Sequence, residues 1–488
     1  MPAKMPLNPI FPRPDSETSP DARHRWAHPD FRYEIPIGVQ GGAWPFKYEI
    51  IAGPTGATIG QYHGDVDYGV VKWTPSAGDN GTKTFTVRVT DQELNTVDLT
   101  WTTTIDASKF IFVDSTAASN GTGTISSPLN SFMAMYISDS DTTYQHNIIV
   151  FRAGTYYPVG SSPTQALVGG AGKPKTWIGF PDEQVNIDFS QSEYLGIGGD
   201  DLFYGGLNFI NAKSDANRSW YISGGIQDRV TIWNMVFDGL VSAGGSNHSA
   251  IHAGGGTGNG HYWLIKHCTF QNFINPNFTS GADIANFPPA YVNLYKLADM
   301  LIEENKSSNT YTENGYFLKA TTSFVTLRAN EIWDNVGGRL INLGYDWTGG
   351  EVPHDHEICW NQIIDDPEHT DFAVQIITGS GYANTNYNTW FYRNTLVGVR
   401  HRFRYFLNDP IHFDGNVVVS TRYGSSDEYA TVNHDDGVPS LLSDTRSIVN
   451  LDGTLTGLVR QEWLGVIGHE ISISPRTKPK RISRLQIG

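Results

Sequence analysis

The chain has 488 residues, enough for two or three domains or for one large domain with an appendage. Charged residues make up only 17%, whereas aromatic residues make up 12% and glycines number 51, which favours turn-rich β-structure over a helical enzyme. The formal net charge of −16 disfavours a general nucleic-acid binder, because phosphate binding needs a basic surface, but it leaves room for a local basic groove that takes an anionic glycan. The two cysteines, Cys268 and Cys359, are too few for a disulfide framework, and we expect both at one shared buried position of a repeat.

The N-terminal segment is rich in proline, with six in the first 20 residues. It lacks the apolar stretch of a signal peptide, and no part of the chain approaches the roughly 20 apolar residues of a membrane span. We therefore expect residues 1–31 to form an extended arm with little capacity to build a core. The same features favour a protein that reaches a virion or the extracellular space without the secretory route.

Short alternating runs follow between residues 32 and 107, such as Thr84-Phe85-Thr86-Val87-Arg88-Val89, separated by turns rich in Gly, Pro, Asp and Asn. Their spacing is typical of a β-sandwich. With Trp73-Thr74-Pro75 and Val89-Thr90-Asp91, the segment resembles cadherin-like or Ig-like modules found beside surface-acting domains. The resemblance implies a spacer or an attachment unit.

The pattern changes at about residue 108. FIFVDSTAASNGTGTISSPLNSF is followed by NIIVFRAGTYYP and then by WIGFPDEQVNIDFS. This series resembles the opening of right-handed parallel β-helix proteins that act on polysaccharides, the superfamily of pectate and alginate lyases that includes phage tailspike depolymerases. The resemblance implies a first strand, a capping helix at about 128–138 and the first coils of a solenoid.

An irregular repeat occupies the rest of the chain. Its aliphatic or aromatic markers lie 33, 37, 25, 31 and 55 residues apart, at Ile232, Ile265, Ile302, Leu327, Ile358 and Phe413. Coils of about 22 residues with loops of varying length explain these spacings, and the last gap then holds two coils. Recurrent Asn at the bends predicts a ladder of side-chain hydrogen bonds. We therefore predict an all-β chain in which 108–488 forms a right-handed parallel β-helix with a C-terminal cap from about 445.

The longest predicted loops, 240–262, 273–299 and 342–357, are rich in Gly, Asn, His and aromatic residues. In a β-helix such loops form the walls of a groove that suits an extended polymer. Aromatic rings there stack on sugar faces, while polar side chains bind hydroxyl and carboxylate groups. The candidate substrate-binding residues are Tyr345, Trp347, His354 and His356.

Lys319 and Arg339 lie twenty residues apart, close to one coil. We expect them on one face in neighbouring coils, about 5–10 Å apart. The pair resembles the alginate-lyase-type enzymes, in which a Lys takes the C5 proton of a uronate and an Arg one coil later binds the carboxylate or serves as the acid. Those enzymes place acidic calcium ligands where this chain has Asn314 and Tyr316, so we expect no metal cofactor, although the resemblance also allows calcium.

A glycoside hydrolase would instead use paired carboxylates. The candidates are Asp200 with Asp201, Asp365 with Asp366, and Asp355 with Glu351. The polygalacturonase subtype also needs a Gly-His-Gly that is missing at the required distance, and adjacent Asp residues are commonly turn formers. His354-Asp355-His356 could start a metal site but has no third ligand at a diagnostic spacing.

The sequence thus predicts a protein that binds and degrades a polysaccharide by β-elimination. We expect an acidic capsule or exopolysaccharide as the substrate and a phage tailspike as the setting, which implies a homotrimer attached to the virion through its N-terminus. A secreted bacterial lyase, a glycosidase with paired carboxylates and a non-catalytic glycan-binding adhesin remain as alternatives. No nucleic-acid or membrane partner is expected.

Overall fold

A computed structural model describes most of the chain up to residue 443. The described residues are 4–136, 142–158, 167–169, 173–191, 194–212, 220–241, 248–254, 259–274, 290–319, 321–344, 353–364, 370–376, 388–399, 401–404, 411–414, 416–420, 432–433 and 441–443. The predicted C-terminal cap from about 445 therefore lies outside the described residues. No described helix is long and apolar enough to cross a membrane.

Residues 4–105 form a module of short strands. Strands β1 to β9 are, in order, Asn8–Phe11, Trp26–Ala27, Tyr33–Pro36, Gly38–Gln40, Lys47–Ala52, Thr58–Ile59, Val70–Trp73, Thr82–Thr90 and Thr96–Ile105. They build a four-stranded sheet in the order β2-β9-β8-β5, a three-stranded sheet in the order β3-β7-β6, and the pair β1-β4. Alternation along β8 and β9 buries Phe85, Val87 and Trp101, as expected for strands with one face on a core.

The N-terminal segment is not a separate arm, which corrects the prediction for residues 1–31. Strand β1 pairs with β4, and β2 pairs with β9. Ile10, Ala27 and Phe31 are buried in the core of the module. The proline content masked this role because Pro fixes the backbone without preventing the intervening apolar side chains from packing.

The remaining strands form the solenoid. Strands β10 to β24 are Phe110–Val113, Ile148–Phe151, Gly154–Tyr156, Leu167–Gly169, Thr176–Gly179, Val185–Asp188, Leu195–Ile197, Leu202–Gly205, Asn208–Ile210, Trp220–Gly224, Val230–Trp233, Val236–Asp238, Ser249–Ala253, Gly260–Lys266 and Thr269–Gln271. Strands β25 to β39 are Ala290–Tyr295, Leu297–Glu303, Lys306–Lys319, Ser323–Arg328, Glu331–Gly344, Glu357–Cys359, Gln362–Ile364, Thr370–Ile376, Trp390–Tyr392, Thr395–Val399, His401–Arg404, Ile411–Asp414, Val417–Ser420, Val432–Asn433 and Leu441–Ser443. Short 3-10 helices occupy Asp15–Glu17, Arg23–Arg25, Ala107–Lys109 and Phe189–Gln191.

These strands stack in three parallel ladders, so the chain contains the predicted right-handed parallel β-helix. The first ladder is a twelve-stranded sheet that runs from β10 to β38. The second and third ladders share an eighteen-stranded sheet, in which β27 and β29 are long enough to belong to both. The second ladder contains β15, β18, β21 and β24, and the third contains β16, β19, β22 and β25.

The predicted marker residues lie one above another in the first ladder. Strand pairing places the six markers in one register. Phe391 occupies the same register in the additional coil between Ile358 and Phe413. The first five markers are completely buried, in the core that runs along the solenoid. Inward side chains of successive coils therefore stack, which confirms both the marker alignment and the prediction of two coils in the last gap.

The predicted asparagine ladder is also present, at the bend after the first ladder. Asn305, Asn330, Asn361 and Asn394 each donate through the side-chain amide to the Oδ1 of the Asn in the next coil, at 2.9–3.0 Å, and Asn416 is the last acceptor. The prediction of a shared position for the two cysteines was wrong. Cys268 occupies the ladder position one coil before Asn305, whereas Cys359 faces outward from the first ladder. Both are buried and free.

A short helix covers the first coil within the predicted capping segment. Helix α1 spans Phe132–Met135, and the side chain of Ser131 accepts a hydrogen bond from the backbone of Ala134, as an N-cap should. Phe132 and Met135 are buried against the end of the core. The described part of the helix is shorter than the predicted 128–138.

The N-terminal module packs across the outer face of the first ladder. Outward residues of successive coils share a core with the module, and Phe11 contacts Phe203 while Trp44 contacts Trp360. Buried charges lie in the same interface: Arg328 donates to Glu303 of the preceding coil and to the carbonyl oxygens of Val39 and Gly41, at 2.8–3.1 Å.

Candidate functional site

A row of aromatic side chains crosses the outer face of the third ladder. On its strands the residues at alternate positions fill the core, so those between them face outward. His252, Asn293, Phe317 and Asn342 share one outward register, and Tyr295 pairs with Lys319 in the next. We call Tyr194, Trp220, His252, Tyr295 and Phe317 the aromatic row.

The rings of this row contact one another from coil to coil. Tyr194 meets Trp220 edge-on, with ring centroids 5.2 Å apart. Trp220 stacks on His252 at 4.8 Å and 27°, and His252 lies 5.6 Å from Tyr295. The row extends over the five coils that carry β16, β19, β22, β25 and β27, a span of about 19 Å at one strand spacing per coil.

Lys319 stands at one end of the aromatic row. Its Nζ donates a hydrogen bond to Tyr295 Oη at 2.8 Å and lies 4.0 Å from the ring centroid of Phe317 and 4.9 Å from that of Tyr295. The residue is 8% exposed, so the aliphatic part of its side chain is covered. Two rings and a hydroxyl therefore fix the position of the amino group.

Glycine at position 344 makes room for this arrangement. Gly344 pairs with Lys319 in the following coil. A Cβ at that position would come within 2.4 Å of the Phe317 ring and 3.5 Å of Lys319 Cγ. Any larger residue would thus displace the ring on which Lys319 rests.

Arg339 lies in the coil after Lys319, as predicted, but not beside it. The register pairs Lys319 with Gly344 and Arg339 with Asn314, so the two residues are five strand positions apart. The expected separation of about 5–10 Å assumed facing positions. The spacing of twenty residues was misleading because the coil from Lys319 to Gly344 contains 25. The side chain of Arg339 lies outside the described part.

The two predicted histidines have different environments. His354 is partly exposed, and its Nδ1 contacts Asp355 Oδ2 at 2.7 Å. His356 is completely buried, and its Nδ1 accepts a hydrogen bond from the backbone of Val325. Burial, with a smaller effect of His354, lowers the pKa of His356 to about 3. The prediction that His356 contacts substrate is therefore corrected, because its ring belongs to the core.

The carboxylates of Asp200 and Asp201 hold the structure together. Asp201 is 6% exposed. Its carboxylate accepts hydrogen bonds from Arg229 Nε at 2.7 Å and from the backbone N–H of Ser19 at 3.0 Å. Asp200 accepts from Arg229 Nη2 and from the backbone of Asp228. The pair thus connects the N-terminal segment to two coils. From the sequence, adjacent Asp residues were expected only to form a turn.

Five further predicted site residues, Tyr345, Trp347, Glu351, Asp365 and Asp366, lie outside the described residues. Among the residues that are described, no group of three or more His, Cys, Asp or Glu side chains could hold a metal ion. His354 and Asp355 contact each other, but no third His, Cys, Asp or Glu among the described residues joins them to complete a metal site.

Trp220, His252, Tyr295 and Phe317 were not predicted as site residues. His252 and Phe317 each stand between two apolar residues in their strands, which is a visible signal for an outward position, whereas Trp220 begins its strand and Tyr295 ends its strand. Their alignment was not visible, because the markers belong to the first ladder and the loops between the first and third ladders differ in length from coil to coil. Only the strand pairing brings these residues into one row.

The aromatic row and Lys319 together offer two kinds of interaction to a polymer. Rings present apolar faces on which sugar rings can stack, and the amino group offers a charge-assisted hydrogen bond to an anionic group. A hydroxyl and an amine 2.8 Å apart can also exchange a proton. The arrangement thus combines stacking surfaces with a pair of groups capable of acid–base chemistry.

No protein-family model and no curated protein match the chain. Among solved structures it is similar to a family 28 exopolygalacturonase from Yersinia enterocolitica, with 10% sequence identity and a TM-score of 0.30. The alignment covers 86% of this chain and 83% of that chain. The fold assignment rests on the strand pairing of the chain itself.

Proposed function

We propose that the protein binds and cleaves an acidic polysaccharide along the aromatic row. The observation that carries the proposal is the hydrogen bond between Lys319 and Tyr295 at the end of a row of rings about 19 Å long. A site of this length suits a polymer better than a small metabolite. The amino group lies where it can contact a sugar that is stacked on the rings.

The proposed reaction is a β-elimination on a uronate. Neutral Lys319 takes the C5 proton, the electron pair forms the C4–C5 double bond, and the C4–O glycosidic bond breaks. The hydroxyl of Tyr295 gives its proton to the leaving oxygen, and Lys319 then returns a proton to the phenolate through their hydrogen bond. Our sequence candidate for the group that neutralises the carboxylate, Arg339, lies one coil later and five strand positions from Lys319, so this role requires its side chain to extend back along the strand toward Lys319.

The experiment is a panel of uronate-containing glycans, including bacterial capsules, with ultraviolet absorbance and reducing ends read together. Elimination produces an unsaturated sugar that absorbs, so we expect both signals to rise. Lys319→Ala should lose about 10²–10⁴ in rate, the usual cost of a missing general base. Lys83→Ala, which removes a partly exposed lysine of the N-terminal module that pairs with Asp79, is the matched control.

Other outcomes would decide between the remaining alternatives. Reducing ends without absorbance would indicate hydrolysis by a carboxylate pair. Binding without cleavage of any glycan would indicate an adhesin. Full activity of Lys319→Ala would contradict the role of the lysine.

The setting that we propose is a phage tailspike that degrades a capsule or an exopolysaccharide. Tailspikes of this architecture assemble as parallel trimers, so a trimer is expected, attached to the virion through the N-terminal module. Light scattering on the full chain at micromolar concentration tests the assembly. A monomer would favour the secreted lyase.

A further inference from the structure

The aromatic row runs obliquely across the third ladder, toward the corner that leads to the first ladder. Trp220 pairs with Ser249, which lies three positions before His252 in β22. Asn293, the partner of His252, in turn lies two positions before Tyr295 in β25. From Trp220 to Tyr295 the row therefore moves five positions along the strands, about 17 Å, in the direction of the chain.

The chain turns this corner directly after Lys319. The backbone N–H of Thr322 donates to the carbonyl oxygen of Lys319 at 3.2 Å, and β28 of the first ladder begins at Ser323. Phe324 follows five residues after Lys319, so the Cα atoms of the two residues are at most about 18 Å apart. The direction of the row beyond Lys319 thus leads to the side of the solenoid on which Phe324 lies.

Phe324 presents an open aromatic ring at this corner. The residue is 44% exposed, and its φ of 51° is a left-handed conformation that is unusual for a bulky side chain. Tyr262 occupies the same corner position two coils earlier, because the residues that follow Tyr262 and Phe324 pair through the intervening coil. There the guanidinium of Arg13 lies 4.0 Å from the ring centroid of Tyr262. The ring of Tyr262 is thus covered by the N-terminal segment, whereas that of Phe324 is accessible to a ligand.

His354 of the following coil stands beside the ring of Phe324. Its backbone N–H donates to the carbonyl oxygen of Thr322 at 3.0 Å, and its imidazole lies edge-on to Phe324 with ring centroids 6.3 Å apart. His354 Nδ1 contacts Asp355 Oδ2 at 2.7 Å, and Asp355 Oδ1 accepts from Asn388 Nδ2 of the next coil. The imidazole is therefore fixed through Nδ1, and its side chain is 38% exposed, so Nε2 is the nitrogen through which it can contact a ligand.

A polymer must be held on both sides of the bond that is cleaved. The rings from Tyr194 to Tyr295 lie in coils that precede Lys319. We propose that Phe324 and His354 form a saccharide subsite on the opposite side of Lys319, where a sugar stacks on the exposed ring and a sugar hydroxyl donates to His354 Nε2. One acidic glycan chain then contacts the row, the Lys319–Tyr295 pair and this subsite in order. The inference rests on the proposed function and extends it to the groups that bind substrate beyond the pair.

The test is the binding of galacturonate and mannuronate hexasaccharides, measured by calorimetry in the Lys319→Ala background so that the ligand stays intact. Phe324→Leu keeps an apolar side chain but removes the ring, and we expect it to weaken binding of at least one probe about tenfold. Phe324→Tyr keeps the ring and should bind like the parent. Ile274→Ala changes another apolar residue that is 44% exposed, and as the matched control it should leave binding unchanged.

The imidazole is tested in the same way. His354→Leu should weaken binding about fivefold, the usual effect of one lost hydrogen bond. His146→Leu removes a similar His–Asp contact, with Asp21 at 2.8 Å, and should have no effect.

Kinetics separate this subsite from an indirect effect on the catalytic pair. With Lys319 present, Phe324→Leu should raise KM for the hexasaccharide about tenfold and leave kcat within about threefold, because the ring binds substrate without taking part in the chemistry. Displacement of Lys319 would lower kcat instead.

The subsite and the cleavage reaction can fail separately. If the wild type cleaves no uronate glycan but Phe324→Leu weakens binding, the cleavage reaction is contradicted and the subsite is supported. Equal affinities of Phe324→Leu, Ile274→Ala and the parent for both probes would overturn the subsite, whether or not a glycan is cleaved. A change confined to kcat, or a parent that binds neither hexasaccharide, would overturn it as well.

Discussion

Lys319 donates a hydrogen bond to the hydroxyl of Tyr295, which lies directly opposite it in the preceding coil. Parallel pairing places these two residues in one register, so neither needs a loop to bring it to the other. The rigid sheet therefore sets the distance between the two groups to which we assign the proton transfers. Such groups must be held within a narrow range of distance, and a strand holds them better than a loop does.

The hydroxyl of Tyr295 can be tested apart from its ring. Tyr295→Phe keeps the aromatic ring and removes the hydroxyl oxygen that accepts the hydrogen bond from Lys319 Nζ. We expect kcat on the best uronate substrate to fall about 10²-fold or more, with little change in KM, because the hydroxyl acts on the leaving group. Tyr62→Phe, at an exposed tyrosine of the module, is the control. An unchanged kcat would limit Tyr295 to stacking.

The buried charges beneath the module should be essential for stability. Burial alone would lower the pKa of Arg328, but Glu303 raises it, and the residue stays charged between its carboxylate partner and two carbonyl oxygens. Arg328→Met leaves the carbonyl oxygens of Val39 and Gly41 without this donor, and Glu303 keeps only Lys266 Nζ, at 3.2 Å, as its buried cationic partner among the described residues. Breaking a buried pair typically costs about 3–5 kcal/mol, which urea unfolding can measure.

Arg88→Met is the matched variant for that measurement, because Arg88 binds Asp98 in a similar pair that is open to solvent. We expect no measurable change in its unfolding midpoint. Equal losses in the two variants would contradict a special role for the buried pair.

The asparagine ladder predicts a second stability effect. Asn361 donates to Leu327 O and to Asn394 Oδ1, and accepts from Asn330 Nδ2. Asn361→Ala leaves buried groups in two coils unpaired, each at about 1–3 kcal/mol. Asn208→Ala, at a half-buried amide that contacts Asn186, should cost much less. A cost for Asn361→Ala no larger than for Asn208→Ala would show that the ladder does not stabilise the bend.

Two buried histidines make the folded state sensitive to acid. Burial lowers the pKa of His24 and of His356 to about 3, below the usual 6.5. Between these values the unfolded chain binds protons that the folded chain does not, so stability is highest above pH 6.5 and falls as the pH drops toward 3. Each histidine contributes a slope of about 1.4 kcal/mol per pH unit in that window.

The slope can be measured as the urea midpoint between pH 7.5 and 4.5. His356→Leu should flatten it, whereas His146→Leu, at an exposed ring beside Asp21, should not. Parallel curves for the wild type and His356→Leu would contradict the buried, neutral state of His356.

The repeat in the sequence was sufficient to predict the solenoid. Ile232, Ile265 and Leu327 are visible as markers because every coil must bury an apolar residue on the one below, whatever loops lie between. The asparagines at the bend are visible for a similar reason, since a backbone turn repeated in each coil needs the same side-chain partner. Such local requirements recur at each coil and leave a pattern that can be read along the chain.

The candidate site could be predicted only in part. Lys319 follows a recognisable strand, but its partner Tyr295 is separated from it by a corner and by a whole first-ladder strand. Loops of different length shift the sequence spacing from coil to coil, so spacing alone suggested Arg339 as the neighbour. His356 was assigned to the surface because a polar residue in a polar stretch gives no sign of which way it points.

The sequence by itself was sufficient to predict the parallel β-helix, because the segment from residue 110 resembles the opening of that fold and the repeat provides an apolar residue for each coil. Tertiary structure alone decided that Lys319 meets Tyr295, that Arg328 is buried beneath Val39 and Gly41, and that the N-terminal segment joins the core of the module. The physical reason is that these contacts join residues from separate coils or from separate parts of the chain. Their free energy depends on register and packing, which no local stretch of residues encodes.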